Sequence, residues 1–294
     1  MNASAPGNRP LWSSEFRTVE MVWRREMIRF LRNRTRIVGG LVQPVLFLLV
    51  LGYGIGSFIT TGGGLDYKKF VFPGTLAMSI VTTSIFSAVS IVWDREFGFL
   101  REMLVAPVSR ASIVLGKTAG GATVATLQGA IMLLLAPLVG LTLTPLLVLE
   151  VLATSLLMAF ALTSFGVFVA SRMKKMEGFQ NVMQFMLFPL IFLSGAIFPV
   201  QNLPIWLAIV NRLDPLTYAI DPIRRIVLSA QPGYQAALAQ ASTSGNPSGG
   251  FLLAISRGVT LNGQTLDIWQ ELVAVSLFAI VFLALAVRGF SRTD

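Results

Sequence analysis

The residues of this chain whose types and spacing could do chemistry begin with Leu115-Gly116-Lys117-Thr118, which has the outline of the end of a phosphate-binding loop. Such a loop works by wrapping glycine-rich backbone amides around phosphate, with its lysine on the outer oxygens. Ala111 stands where the first glycine is required, and Ser112-Ile113-Val114-Leu115 leads straight into an apolar run, so the amide cradle cannot form. Val89 to Asp94 has the outline of the acidic strand of nucleotide hydrolases, and Leu193-Ser194-Gly195 echoes a signature triplet of such enzymes. Both fall inside long apolar runs and in the wrong chain order. The chain has no His and no Cys, which removes the commonest acid–base group, the thiol nucleophile and the usual metal ligands. Nucleotide hydrolysis by this chain itself is therefore not expected, and cysteine usage leaves the redox compartment open.

What remains is a charged stretch, Trp93-Asp94-Arg95-Glu96-Phe97-Gly98-Phe99-Leu100-Arg101-Glu102-Met103-Leu104 continuing to Arg110, caught between two long apolar runs. A charge at the bilayer centre costs about 2.5 to 3.5 kcal/mol on insertion scales. The six charges from Asp94 to Arg110 must therefore meet water or a partner, which places the stretch outside the membrane. Phe97, Leu100, Leu104 and Val108 recur at helical spacing and predict one apolar side on a charged helix, a surface that wants something to dock on.

The elements that position this loop are membrane helices. Hydrophobic residues make up 54% of the chain and charged residues 13%, with a mean hydropathy of +0.72, as in a polytopic membrane protein. Runs near the roughly twenty residues that cross about 30 Å of hydrocarbon number six. They are Ile37 to Ile59, Val71 to Trp93, Ile113 to Val139, Leu146 to Ala170, Phe179 to Phe198 and Trp269 to Val287. With a cytoplasmic N-terminus, seventeen of the 23 basic residues fall on the cytoplasmic side, so the positive-inside rule sets both ends there. The net charge of +9 is thus topology, helped by anionic lipid, and not a nucleic-acid surface. No cleavable signal peptide is expected, because the first apolar run follows a 36-residue basic arm and is long enough to span.

Within the arm, residues 1–36, Phe16, Val19, Trp23, Met27, Phe30 and Leu31 share one side of a helix with arginines opposite; Ser13 or Ser14 is the expected N-cap, with Glu15 in the first turn. This helix lies along the inner leaflet or packs on other protein. The outer connection, 199–268, is broken by Pro199, Pro204, Pro215 and Pro222, and Leu203 to Leu213 is too short to cross; re-entrant or interfacial helices fit it. From Gln231 to Gly250 the Ala, Gln, Ser, Gly and Pro content predicts an exposed, mobile loop. Glu150, about one turn from the outer end of the fourth run, is either a functional carboxylate or one that reaches the interface. Small-residue patterns, Gly52 with Gly56 and Gly121, Ala125 and Gly129, permit close helix approach.

Asp94 to Leu104, followed by Ala106-Pro107-Val108-Ser109-Arg110 and Gly116-Lys117, resembles the cytoplasmic loop of ABC type-2 permeases of the daunorubicin-resistance and nodulation export branch. Leu193-Ser194-Gly195-Ala196 with Phe198-Pro199, Leu203-Pro204-x-Trp206-Leu207 and Pro215-Leu216-Thr217-Tyr218 is a second match, and together they cover nearly the whole chain. The resemblance implies an all-α, six-span exporter subunit in a bacterial inner membrane. Residues 37–294 would form the transmembrane domain, which pairs with a second permease copy, as a homodimer or heterodimer, and binds two copies of a separate ATPase that holds ATP and magnesium. This chain would bind no cofactor or metal.

By the same resemblance, residues 94–110 carry the coupling helix. Phe97, Leu100 and Leu104 would fill an apolar slot on the ATPase, Glu96, Arg101 and Glu102 would set orientation, and Gly98 would allow close approach, with Pro107 in the same motif. The Arg172 to Gly178 turn would supply a smaller second contact, or is a topological charge cluster. The cargo path would run between spans two and five, past Thr83 and Ser87 on one and Asn181, Gln184, Phe185, Phe188 and Phe192 on the other. An outer gate would form at Ser194, Gly195, Phe198 and Pro199. Serines and threonines in spans also serve helix packing, and aromatic stripes also face lipid or core. The expected function is outward movement of amphipathic drugs or lipids; a polysaccharide or glycolipid exporter is the alternative, and an ATP-independent carrier would need midplane charges beyond Glu150.

Overall fold

The computed structural model describes residues 11–54, 56, 67–98, 109–197, 204–244, 253, 258–261 and 264–291. Its helices run in the order α1 Leu11–Arg32, α2 Arg34–Leu49, α3 Tyr67–Ser87, α4 Val89–Glu96, α5 Arg110–Leu133, α6 Pro145–Arg172, α7 Met176–Leu193, α8 Ile205–Leu213, α9 Pro215–Ser229, α10 Tyr234–Ser244 and α11 Ile268–Ser291. Among the described residues the one strand pairing is a two-residue antiparallel ladder, Thr260–Leu261 with Gln264–Thr265. The all-helical class read from the sequence is the observed one.

Among the described residues four segments are long and apolar enough to cross a membrane: Arg34–Gly54, Tyr67–Glu96, Pro145–Arg172 and Ile268–Phe290. The other two expected spans coincide with α5 and α7, which are helical but diluted by polar residues such as Lys117 and Gln128 on one and Gln180, Asn181 and Gln184 on the other. In the Tyr67–Glu96 segment 78% of the most apolar window is buried, against 17% in Arg34–Gly54 and in Ile268–Phe290, so α3 is the central post and α2 and α11 are peripheral. It packs against α2, α5, α6 and α9, and α11 lies on α6 and α9.

α1 packs along α5, where Gly116 and Gly120 let it come so close that an added Cβ would sit 2.8 Å from Val22 Cβ and 2.9 Å from Glu26 Cβ. The Trp23 indole donates to Thr123 Oγ1 at 3.0 Å. Its buried side is Thr18, Glu26 and Phe30 with Val19, Val22 and Trp23, while Phe16, Met21, Ile28 and Leu31 stay exposed among arginines. Phe16 and Leu31, expected on the packed side, are on the outer one. The helix also begins at Leu11, ahead of the expected serine cap.

A second correction lies in the outer connection. Tyr234–Ser244, expected as a mobile loop, is helix α10. Its alanines are strong helix formers, and Tyr234 and Ala237 bury against Tyr67, Phe70 and Leu228, contacts that composition does not reveal.

Among the described glycines the closest approach to another stretch of backbone lies at Gly74 on α3. A Cβ there would stand 1.8 Å from the Ala196 carbonyl oxygen, which belongs to the buried turn after α7. Gly74→Ala should therefore destabilise the protein by about 2 kcal/mol or more through overpacking. Gly39→Ala in α2, where nothing lies within 4 Å, should be neutral or stabilising. Thermal unfolding of the purified variants in detergent checks the pair; equal midpoints would contradict the packing.

Candidate functional site

The residues on either side of the 99–108 stretch are held by other helices of the chain. At the first root α4 brings Asp94 to the Lys117 ammonium of α5 at 2.9 Å, and the same ammonium binds Glu26 Oε1 of α1 at 2.8 Å and Ser90 Oγ at 2.9 Å. The Lys117 side chain is 3% exposed. Arg25 adds a second cation to Asp94 at 2.8 Å, so two acids and two bases balance at the junction of three helices. A charge this deep persists only because its partners complete it. Lys117, whose motif imitates a phosphate loop, is thus a structural cation.

The second root is the start of α5. Ser109 caps it by accepting from Ser112 N, and the Glu15 carboxylate of α1 accepts from Ser109 N at 3.2 Å, from Ser109 Oγ at 2.6 Å and from Ser112 Oγ. The Ser109 and Ser112 hydroxyls hold the Glu15 carboxyl below its usual range. Glu15, expected in the first turn of its own helix, therefore works on another one. α1 touches both ends of the loop.

Toward the rest of the bundle, Arg95 Nη1 donates to the Ser171 and Met173 carbonyls, both at 2.9 Å, and Glu96 accepts from Met176 N at 3.0 Å at the start of α7. One Glu96 oxygen is thus used within the chain. Phe97 packs edge-on against Trp93 with ring centroids 5.3 Å apart and is 62% exposed. Gly98 has φ +83° with open space around it, the left-handed conformation that lets the chain turn out of α4. Leu100, Arg101, Glu102, Leu104 and Pro107 lie outside the described residues.

The expected path residues divide into two groups. Asn181, Gln184, Phe185 and Phe188 line a surface groove of about 490 Å3 on α7, and Phe188 stacks on Phe192 at 4.6 Å. Thr83 and Ser87 do not line it: they are buried in the core, Thr83 near Gly40 and Gln128, and Ser87 against Gly121 of α5. Both lie on α3, the most buried of the long apolar helices. Glu150 is exposed on α6.

At the other end the Ser194 to Ile197 turn is buried and pinned. The Arg224 guanidinium donates to the Gly195 carbonyl and stands 4.5 Å over the Phe70 ring, Asn211 donates to the Leu193 carbonyl, and the Tyr67 hydroxyl donates to Ile197 O at 3.2 Å. Burial pushes Arg224 down to about 10, and it pushes the nearby Asp214 carboxyl up to about 7 against the Leu216 amide that binds it. Gly195 has φ +76°. Phe198 and Pro199 lie outside the described residues.

Residues 17–228 match the ABC-2 type transporter family model, a stretch that includes the gripped loop and the pinned outer turn. The chain belongs to the ABC-2 type transporter family. It is 34% identical over 212 residues to nodulation protein J of Rhizobium leguminosarum bv. trifolii, covering 70% of this chain and 80% of that protein. It is 31% identical over 205 residues to the ycf38 transport permease of Cyanophora paradoxa, covering 68% and 71%. The multidrug ABC transporter permease YbhR of Escherichia coli K12 is 32% identical over 170 residues, 56% of this chain and 45% of that one.

In this ABC-2 chain the sequence reading missed two clusters. Glu26 and the role of Lys117 were signalled by charges inside apolar spacing, which must be paired. Asp221, Arg225 and Glu271 form the other: Arg225 Nη2 lies 2.5 Å from Asp221 and 3.2 Å from Glu271, joining α9 to α11. Glu271, fully buried, sits just inside the last apolar run, where a carboxylate demands a cation. Lys117→Ala should leave two buried carboxylates facing each other and cost about 3 to 5 kcal/mol, whereas Lys117→Ala with Glu26→Ala should recover part of it. Thermal midpoints of the single and double variants decide; additive losses would mean the cluster is not one unit.

Proposed function

We propose that this chain is the membrane-spanning subunit of an ATP-driven exporter, with two copies side by side and a separate ABC ATPase docked on each 97–108 loop. The observation that carries this reading is how the two ends of the 97–108 stretch are held: they are tied to α1, α5 and α7 by the buried Asp94–Lys117 ion pair and by exposed hydrogen bonds to Glu15 and Glu96, while Phe97 is left exposed. A rigid mount with an apolar tip suits force transmission from a partner. ATP and magnesium would sit on that partner. The layout would be six spans in a bacterial inner membrane with both termini cytoplasmic, α5 and α7 being shielded by neighbouring helices and the second copy. Cargo would be an amphipathic drug or lipid passing the α7 groove, where Asn181 and Gln184 beside Phe185 and Phe188 offer amides and ring faces together. The aromatic share of that groove favours such a cargo over a purely hydrophilic glycan.

Co-expression with the ATPase tests the docking. Phe97→Ala should reduce co-purified ATPase about thirtyfold in affinity, as for an aromatic anchor worth about 2 kcal/mol. Leu138→Ala, an equally exposed apolar change on the connection between α5 and α6, should leave it unchanged. Equal binding in both variants would remove the loop from the interface.

Orientation is tested in this cysteine-free chain by single cysteines at Ser242 and Lys174, both exposed. In intact cells an impermeant maleimide should label position 242 and not 174; the reverse would overturn the both-ends-inside layout.

A further inference from the structure

Four cations converge on one hollow at the end of the molecule that carries the loop roots. The hollow has a volume of about 450 Å3 and is lined by Arg95, Arg172, Lys174 and Arg288, with Ser171 and Leu285 between them. Among the described residues no carboxylate lines it. Among the described residues Arg172, Lys174 and Arg288 take part in no ion pair. Arg95 spends Nη1 on the Ser171 and Met173 carbonyls, and its buried Nη2 has no hydrogen-bond partner. Arg172 is steadied over the Phe168 ring at 5.0 Å.

Two ordinary causes bring these residues here, and neither completes the site. Arg172 and Arg288 stand in the last turns of α6 and α11, where a cation offsets the helix dipole, and basic residues gather on cytoplasmic ends in general. Those causes place each charge singly. They do not aim four of them into one concavity without an acid, where mutual repulsion raises the energy until an anion enters. The volume is also far above the roughly 30 Å3 share of a water molecule.

We infer that this hollow binds the phosphate of an anionic phospholipid headgroup. The source is argued from the neighbouring helix: α11 is the peripheral span, with Val273, Leu277, Ile280 and Val281 exposed along it, so acyl chains can follow that surface while the phosphate enters beside Arg288. The cytoplasmic leaflet is assigned through the orientation proposed above; the site itself does not depend on it, nor on the ATPase. Because Arg95 lies within the same turn as Glu96 and three residues before Gly98, an occupied hollow braces the first root of the loop and the end of α6 together.

The test uses the full chain in phosphatidylcholine nanodiscs with or without phosphatidylglycerol, read by native mass spectrometry and by thermal midpoint. The protein should retain phosphatidylglycerol and gain thermal stability from it. Lys174→Gln with Arg288→Gln should weaken retention about thirtyfold, on the scale of two phosphate-facing charges. Arg24→Gln with Arg32→Gln, which removes the same charge from the exposed side of α1, should retain it. Equal losses in the two double variants would overturn the site in favour of diffuse attraction. Equal retention of phosphatidylcholine by the unaltered protein would overturn anion recognition. Stabilisation by millimolar inorganic phosphate matching that by phosphatidylglycerol would overturn the lipid assignment and leave a soluble phosphate ligand. The last two arms need no variant, so a folding failure leaves the proposal decidable.

Discussion

One buried ammonium organises the end of this molecule that faces its proposed partner. The Lys117 side chain is 3% exposed and is held by Glu26 and Asp94, with Ser90 as a third acceptor. Glu26 comes from α1 and both Asp94 and Ser90 from α4, so α1, α4 and α5 cannot separate without exposing an unpaired charge to a medium of low dielectric. A purely apolar junction of the same size would be as cohesive but would slide; charge-assisted hydrogen bonds fix register and angle.

That register is what gives the loop its mount. Asp94 precedes the loop and Ser109 follows it, and α1 reaches both, through Arg25 and Glu26 on one side and Glu15 on the other. The glycines of α5 are the geometric condition for this reach, since a methyl at Gly116 or Gly120 would lift α1 off its seat. At the opposite end the same logic recurs with different groups. Gly74 admits the Ala196 carbonyl into the heart of α3, and Arg224, Asn211 and Tyr67 satisfy the carbonyls that the turn would otherwise bury bare. The groove on α7 lies between the two ends.

The groove also separates residues that chain periodicity had grouped. Ser and Thr on α3 and the amides and rings on α7 look alike as stripes, but burial sorts them: Thr83 and Ser87 are spent on helix contact, whereas Phe185 and Phe188 remain on the surface. Exposed aromatic rings on a membrane helix need lipid, cargo or a second subunit against them. Hydroxyls inside a helical core need only a backbone carbonyl, as Ser87 finds at Ser84 O.

The sequence by itself determined the helical class, the membrane setting, the charged loop between apolar runs and the absence of histidine or thiol chemistry, because these follow from composition and from the cost of placing charge in hydrocarbon. Its motifs at Asp94 to Arg110 and Leu193 to Tyr218 were also sufficient for the family. Tertiary structure alone decided which helix holds the loop, since the pairing of Lys117 with Glu26 joins residues 91 positions apart and no local period encodes it. It also decided that Tyr234–Ser244 is helix, because burial of Tyr234 and Ala237 under Tyr67 and Phe70 supplies what a polar composition does not. Which side of α1 faces protein was settled the same way: apolar residues such as Phe16 and Leu31 are exposed, and the glycine-lined surface of α5 takes the side that carries Thr18, Glu26 and Phe30.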